Sequence, residues 1–148
     1  MRVTVQEAPF DAGEMLSAFT AQHAEGSGAV VSFTGLVRDL TGGGLAHMEI
    51  EHYPGMTKTA IGEIRIQAIT RFNLTGAWVI HRYGRLAPGE TIMMVLTAAA
   101  HRADAFQGAE FLMDYLKSRA PFWKKEVTAD GADWVAAKNA DEDALSRW

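Results

Sequence analysis

The chain has no cysteine among its 148 residues. Disulfides, thiolate-held zinc, thiol nucleophiles and persulfide carriers are therefore excluded within it. If this chain takes part in sulfur chemistry, the sulfur arrives on another molecule. No apolar run approaches the ~18–20 residues that would cross a bilayer. The first residues, MRVTVQEAPF, lack the basic flank and apolar core of a signal peptide, so a cytoplasmic location and no membrane partner are expected. Positive charge is not in excess either. The net charge is −4 and the pI is near 5.7, so the surface as a whole does not suit nucleic acid, and any anion site must be local. The histidines His23, His47, His52 and His81 share no metal-ligand spacing, and there is no HExxH, so no metal site is expected. Glycine-rich nucleotide fingerprints and GxSxG are missing too, and no bound cofactor is expected.

What is present reads as one domain over residues 1–148, with ordinary apolar (48%) and charged (22%) content. Val3 to Gln6 alternates weakly, as a short strand does. Asp11, with Glu14 three positions on, suggests the cap of a helix whose apolar residues include Met15, Ala18 and Phe19. Ala29 to Val37 is β-branched and alternating, with Gly35 marking a bulge or a close backbone approach. A loop with three consecutive glycines follows Arg38, and then Leu45 to Tyr53 alternates cleanly. Pro54-Gly55 turns into a helix over about 56–72, with Met56, Ala60, Ile61, Ile64, Ala68 and Ile69 as its buried stripe, closed by 73–76. Trp78 to Tyr83 is a strand, and the wholly apolar Thr91 to Ala98 reads as a central strand covered on both faces. Residues 125–128 and 133–135 can pair across Ala129-Asp130-Gly131, and 140–145 is acidic and polar. The expected fold class is α+β: a mixed or mostly antiparallel sheet packed with helices, plus a smaller, hammerhead-like accessory strand region.

The stretch that concentrates chemistry is HRADAFQGAEFLMDYLKSRAPFWKKE, residues 101–126. Phe106, Ala109, Met113 and Leu116 form one stripe of a helix, which Pro121 ends. Lys117, Arg119, Lys124 and Lys125 bring four positive charges and no negative one to the bend, with Phe122 and Trp123 between them. A helix N-terminus beside His101 and Arg102 also favours anions. The plainer reading is a solvated helix end, since lysines there favour the helix dipole by about 0.3–1 kcal/mol each. Lys117, four residues after Met113, leans toward the buried side. Partial desolvation beside other cations would lower its pKa, as a proton shuttle requires.

The segments EHYPGM, AHR and DYLKSRAPFWKKE, in that order and spacing, closely resemble the catalytic (large) subunit family of molybdopterin synthase, over most of the chain from FTGLVR to Trp148. The resemblance implies that Lys117 and Lys124 are catalytic. It also implies that Leu36, Val37, Arg38, His101, Arg102, Lys125 and Glu126, with the two lysines, bind substrate. Any contact at Leu36 would run through the backbone. The substrate would be precursor Z, a cyclic pyranopterin monophosphate. Sulfur would come as the C-terminal thiocarboxylate of a small ubiquitin-like carrier subunit, and the product would be the molybdopterin dithiolene. A homodimer binding two carriers, a heterotetramer overall, is also implied. Two other classes fit the residues alone. A non-catalytic adaptor could dock a peptide tail by strand addition, and a nucleotide binder could use Phe122 and Trp123 as stacking platforms.

Overall fold

In the computed structural model, which describes residues 3–136 and 139–148, two four-stranded sheets share the chain. The elements in order are β1 (Val3–Gln6), α1 (Ala12–Gln22), β2 (Ala29–Leu36), β3 (His47–His52), α2 (Met56–Phe72), β4 (Leu74–Arg82), β5 (Gly84–Leu86), β6 (Thr91–Ala99), α3 (Arg102–Ser118), β7 (Phe122–Thr128), β8 (Gly131–Trp134) and α4 (Asn139–Leu145). The first sheet runs β1-β4-β6-β2, with β1 parallel to β4 and the other pairs antiparallel. The second runs β5-β3-β7-β8 and is antiparallel throughout. The α+β class holds. The accessory strand region is a sheet of as many strands as the first but smaller, its strands having 3, 6, 7 and 4 residues. Its pairings join residues far apart in sequence, which local alternation does not reveal.

The continuous apolar character of β4 and β6 follows from cover on both faces. Ala77, Val79 and Val95 face α2 and α3, whereas Trp78, Met94 and Leu96 close with Phe19 of α1 on the other side. Asp11 caps α1 as expected, its carboxylate accepting from the Glu14 N–H at 2.9 Å. The helix stripes differ from expectation at their largest residues. Phe106 is 61% exposed, and the inward line of α3 is Ala105, Ala109, Leu112 and Leu116. The small Ala105 lets α3 approach β6 closely enough for the buried Thr97 hydroxyl to donate to the Ala105 carbonyl at 2.7 Å. Met56 is likewise 63% exposed. Thr57 takes the inner place, accepting from the Tyr53 N–H at 3.0 Å and donating to the Pro121 carbonyl at 3.1 Å. Asn73 ends α2 in the left-handed region (φ 50°), and β4 starts at once rather than four residues later. The acidic segment near the C-terminus is helical, as α4.

Two local features shape the site. Gly35 sits at a register shift in β2, where a Cβ would lie 3.2 Å from Met93. Gly84, at φ 88°, lets β4 pass into β5 with only Tyr83 between them. The first sheet thus feeds directly into the second.

Candidate active site

At the junction of the sheets lies a cleft of about 790 Å³. The end of β2 and the segment after it form one wall, the last turn of α3 a second, and β7 a third. Strand alternation decides what β7 contributes. Phe122, Lys124 and Glu126 share its cleft face, while Trp123 and Lys125 belong to the other face, Trp123 still bordering the cleft. Trp123 packs edge-on against Tyr53 with centroids 4.9 Å apart. Lys125 reaches Glu49 at 3.9 Å and lies 4.6 Å above the Trp134 ring.

The cleft brings together Leu36, Val37, Arg38, Lys117, Lys124 and Glu126 from the expected set. Lys117 is exposed at the rim rather than tucked inward, so this chain alone does not supply the desolvation expected for it. Lys124 and Glu126 are half-buried. Leu36 is exposed, but the Val37 backbone is engaged, its N–H donating to the Glu90 carbonyl at 2.9 Å and its carbonyl accepting from the Gly89 N–H at 2.8 Å. Arg38 is followed by Asp39, whose carboxylate accepts from the Leu40 N–H at 2.7 Å and the Leu45 N–H at 3.0 Å. That carboxylate closes the three-glycine loop beside the arginine.

Three expected residues lie elsewhere. Lys125 is on the outer face of β7. His101 and Arg102 stand at the opposite end of α3, exposed, sixteen and fifteen residues before Lys117. At about 1.5 Å per residue that is roughly 24 Å for His101, too far to share one cleft within one chain.

The residue that sequence reading missed is His81, passed over for want of metal-ligand spacing. It lines the cleft near the end of β4, 4% exposed, its ring stacked on Phe122 at 3.7 Å and 17°. The register explains its place: Lys124 lies opposite Ile50, and Ile50 opposite Gly84, three residues after His81. Its Nδ1 donates to the Arg82 carbonyl at 2.8 Å, so Nε2 is the unprotonated nitrogen. Burial pushes the His81 pKa down to about 3. The charges of Lys124 and Lys117 act in the same direction, against the hydrogen bond to Arg82. Arg82 in turn fixes the strand end, donating to the carbonyls of Glu7 and Thr91 at 3.1 Å each. The only sequence signal was a His-Arg pair closing a strongly apolar strand. Among the described residues no group of three metal-ligating side chains comes together.

Fold and cleft define a class: an α+β protein in which Lys117, Lys124 and Arg38 line one cleft beside the stacked rings of His81 and Phe122. The chain belongs to the MoaE family, whose model, described as MoaE protein, matches residues 5–119. It is 68% identical, over the whole of both chains, to the molybdopterin synthase catalytic subunit of Cereibacter sphaeroides. Among solved structures it is similar to the molybdopterin biosynthesis MoaE protein of Burkholderia ambifaria, at 46% identity and TM-score 0.85 over 99% of this chain and 97% of that one. It also resembles the molybdopterin synthase of Staphylococcus aureus, at 29% identity and TM-score 0.81 over 90% and 96%.

Proposed function

We propose that this chain is the catalytic subunit of a molybdopterin synthase, moving sulfur from a carrier's C-terminal thiocarboxylate to precursor Z. The observation that carries the reading is the convergence of Lys117, Lys124 and Arg38 on one cleft in a chain 68% identical to a protein of that name. A thiocarboxylate and a phosphate are both anionic, and holding them together away from water is costly without counter-charges. Lys117, at the rim, faces the entering tail. It stabilises charge developing at the thiocarboxylate carbon and relays a proton there. The tail supplies the dryness that the open cleft lacks. Lys124 assists proton transfers and opening of the cyclic phosphate, Arg38 grips the phosphate, and Glu126 accepts from a pterin N–H. In each delivery the thiocarboxylate sulfur bonds to a substrate carbon as a carbon–oxygen bond there breaks, the ring phosphate ester at one carbon and the carbonyl oxygen, leaving as water, at the other. Hydrolysis of the resulting thioester then breaks the carrier's carbon–sulfur bond and returns the carrier as a carboxylate, with water supplying its oxygen. Two deliveries complete the dithiolene.

His101 and Arg102 enter this scheme through a second copy of the chain, because their own cleft is a helix length away. That copy makes the working unit a homodimer carrying two small subunits. None of the helices among the described residues is long and apolar enough to cross a membrane, and we place the reaction in the cytoplasm. Incubating the chain with a thiocarboxylated carrier and precursor Z tests the reading. Dithiolene product that depends on both components is the expected result, and its absence with folded partners overturns the proposal.

A further inference from the structure

The reaction above makes no use of His81, although among the described residues it is the histidine that lines the cleft. An imidazole in an apolar wall is costly unless its polar atoms are met. Nδ1 is met by the Arg82 carbonyl. Nε2 is not among the orphaned buried side-chain atoms of the described residues, which are His52 Nδ1, Trp78 Nε1 and Ser118 Oγ. It therefore either meets a donor or opens onto the cleft. The stack on Phe122 holds the ring plane, and the Nδ1 bond fixes which edge carries the lone pair. Phe122 and Lys124 share one face of β7, so the ammonium stem rises beside that stack.

We propose that His81 is a positioning residue for the lysine pair, its unprotonated Nε2 holding the Lys124 ammonium toward the substrate. The proposal deepens the sulfur-transfer reading of the cleft and rests on it for the effect on turnover. The charges of Lys124 from β7, Lys117 from α3 and His52 from β3 bear on the ring, and Glu126 from β7, Arg38 and Asp39 after β2 and Asp141 from α4 line the same cleft. A protonated histidine among three cations would repel the side chain it orients. A ring locked neutral by burial accepts from an ammonium across the whole working pH range. A phenylalanine would fill the same slot and stack equally well, but would leave Lys124 without that acceptor.

Two variants separate positioning from packing. His81→Phe keeps the stack and removes the lone pair, while His81→Gln replaces the acceptor near the place of Nε2. The first readout needs no substrate: lysine side chains carrying ¹³C at Cε are titrated by NMR in the full-length chain, with Lys124 assigned from its Lys124→Arg variant. In His81→Phe the Lys124 ammonium is expected to lose its proton at lower pH than in the wild type, because its charged form has lost an acceptor. The second readout is dithiolene formation by the complex. Here kcat is expected to fall about 10-fold, with KM little changed and the melting temperature kept. His81→Gln should recover most of both. An unchanged Lys124 titration in folded His81→Phe overturns the proposal. So does a Gln variant that melts as early and works as poorly as Phe, which would make the ring a packing element. A wild-type chain that forms no dithiolene overturns the sulfur-transfer reading, and the Lys124 titration still decides the role of His81.

Discussion

Lys124 and Lys125 are neighbours in the chain, yet one residue of β7 separates two environments. On the cleft face, Lys124 stands between Phe122 and Glu126, half-buried and close enough to His81 for its charge to bear on that ring. On the outer face, Lys125 has a carboxylate at 3.9 Å and an aromatic ring beneath it. The outer lysine links β7 to β3 and β8, whereas the inner one lines the cleft. A cluster of like charges is therefore not one patch. The two-residue period of the strand sorts it onto two faces, one of them a wall of the cleft.

The sharpest way to break this comparison is to truncate the inner lysines. Lys124→Ala and Lys117→Ala are each expected to cut single-turnover product formation by roughly 10²–10³, the scale for one lost electrostatic donor in a dry site, while melting curves stay near wild type. Lys117→Arg should rescue poorly, since a guanidinium neither occupies a point-charge position nor releases its proton near neutrality. A Lys117→Ala chain that works normally would move the chemistry off this helix. The next test uses the two ends of α3. Mixing Lys117→Ala and Arg102→Ala chains should restore product where each alone is weak, because a mixed dimer leaves one cleft with both side chains intact. Failure to complement would mean that both residues act within a single chain.

A smaller effect is expected from acid. In the unfolded chain His81 takes its proton near its ordinary 6.5, but in the folded protein only near 3. The unfolded state therefore binds the extra proton between those values. The stabilisation is complete above about pH 6.5 and declines as pH falls toward 3. Denaturant midpoints measured from pH 7 to 3.5 should fall less steeply in His81→Phe than in the wild type, and equal slopes would refute the buried, neutral ring. Smallest of all is Lys125→Ala. Its loss of a surface ion pair and a cation–π contact should cost about 1 kcal/mol or less in chemical denaturation, with turnover within a few-fold of normal.

Much of this was readable from the sequence wherever the governing interaction is local. Asp11 over Glu14, the Gly35 irregularity, the hairpin after Thr128 and the apolar β6 all follow from neighbours a few residues apart. Reading failed where the deciding partner is distant. Phe106 fits a helical period, but the close approach of α3 to Thr97 selects Ala105 instead. The grouping of strands into two sheets depends on β3 finding both β5 and β7, in pairs 34 to 38 and 70 to 80 residues apart. His81 shows nothing until Phe122 is laid on its ring. Nor could the motifs alone separate His101 and Arg102 from Lys117: they name residues of one family site, but only the length of α3 sets them apart.

The passage of β4 into β5 across Tyr83 has a mechanical consequence. The wall that carries His81 and the sheet that carries Lys124 are bridged by one uninterrupted run of backbone, pinned on the far side by Arg82. Jaws joined in this way cannot swing apart without tearing the ladder between β3 and β5, so the gap is held at a nearly constant gauge. A cleft walled in this way is a mould rather than a clamp: its fit is set by the ladder and not by closure.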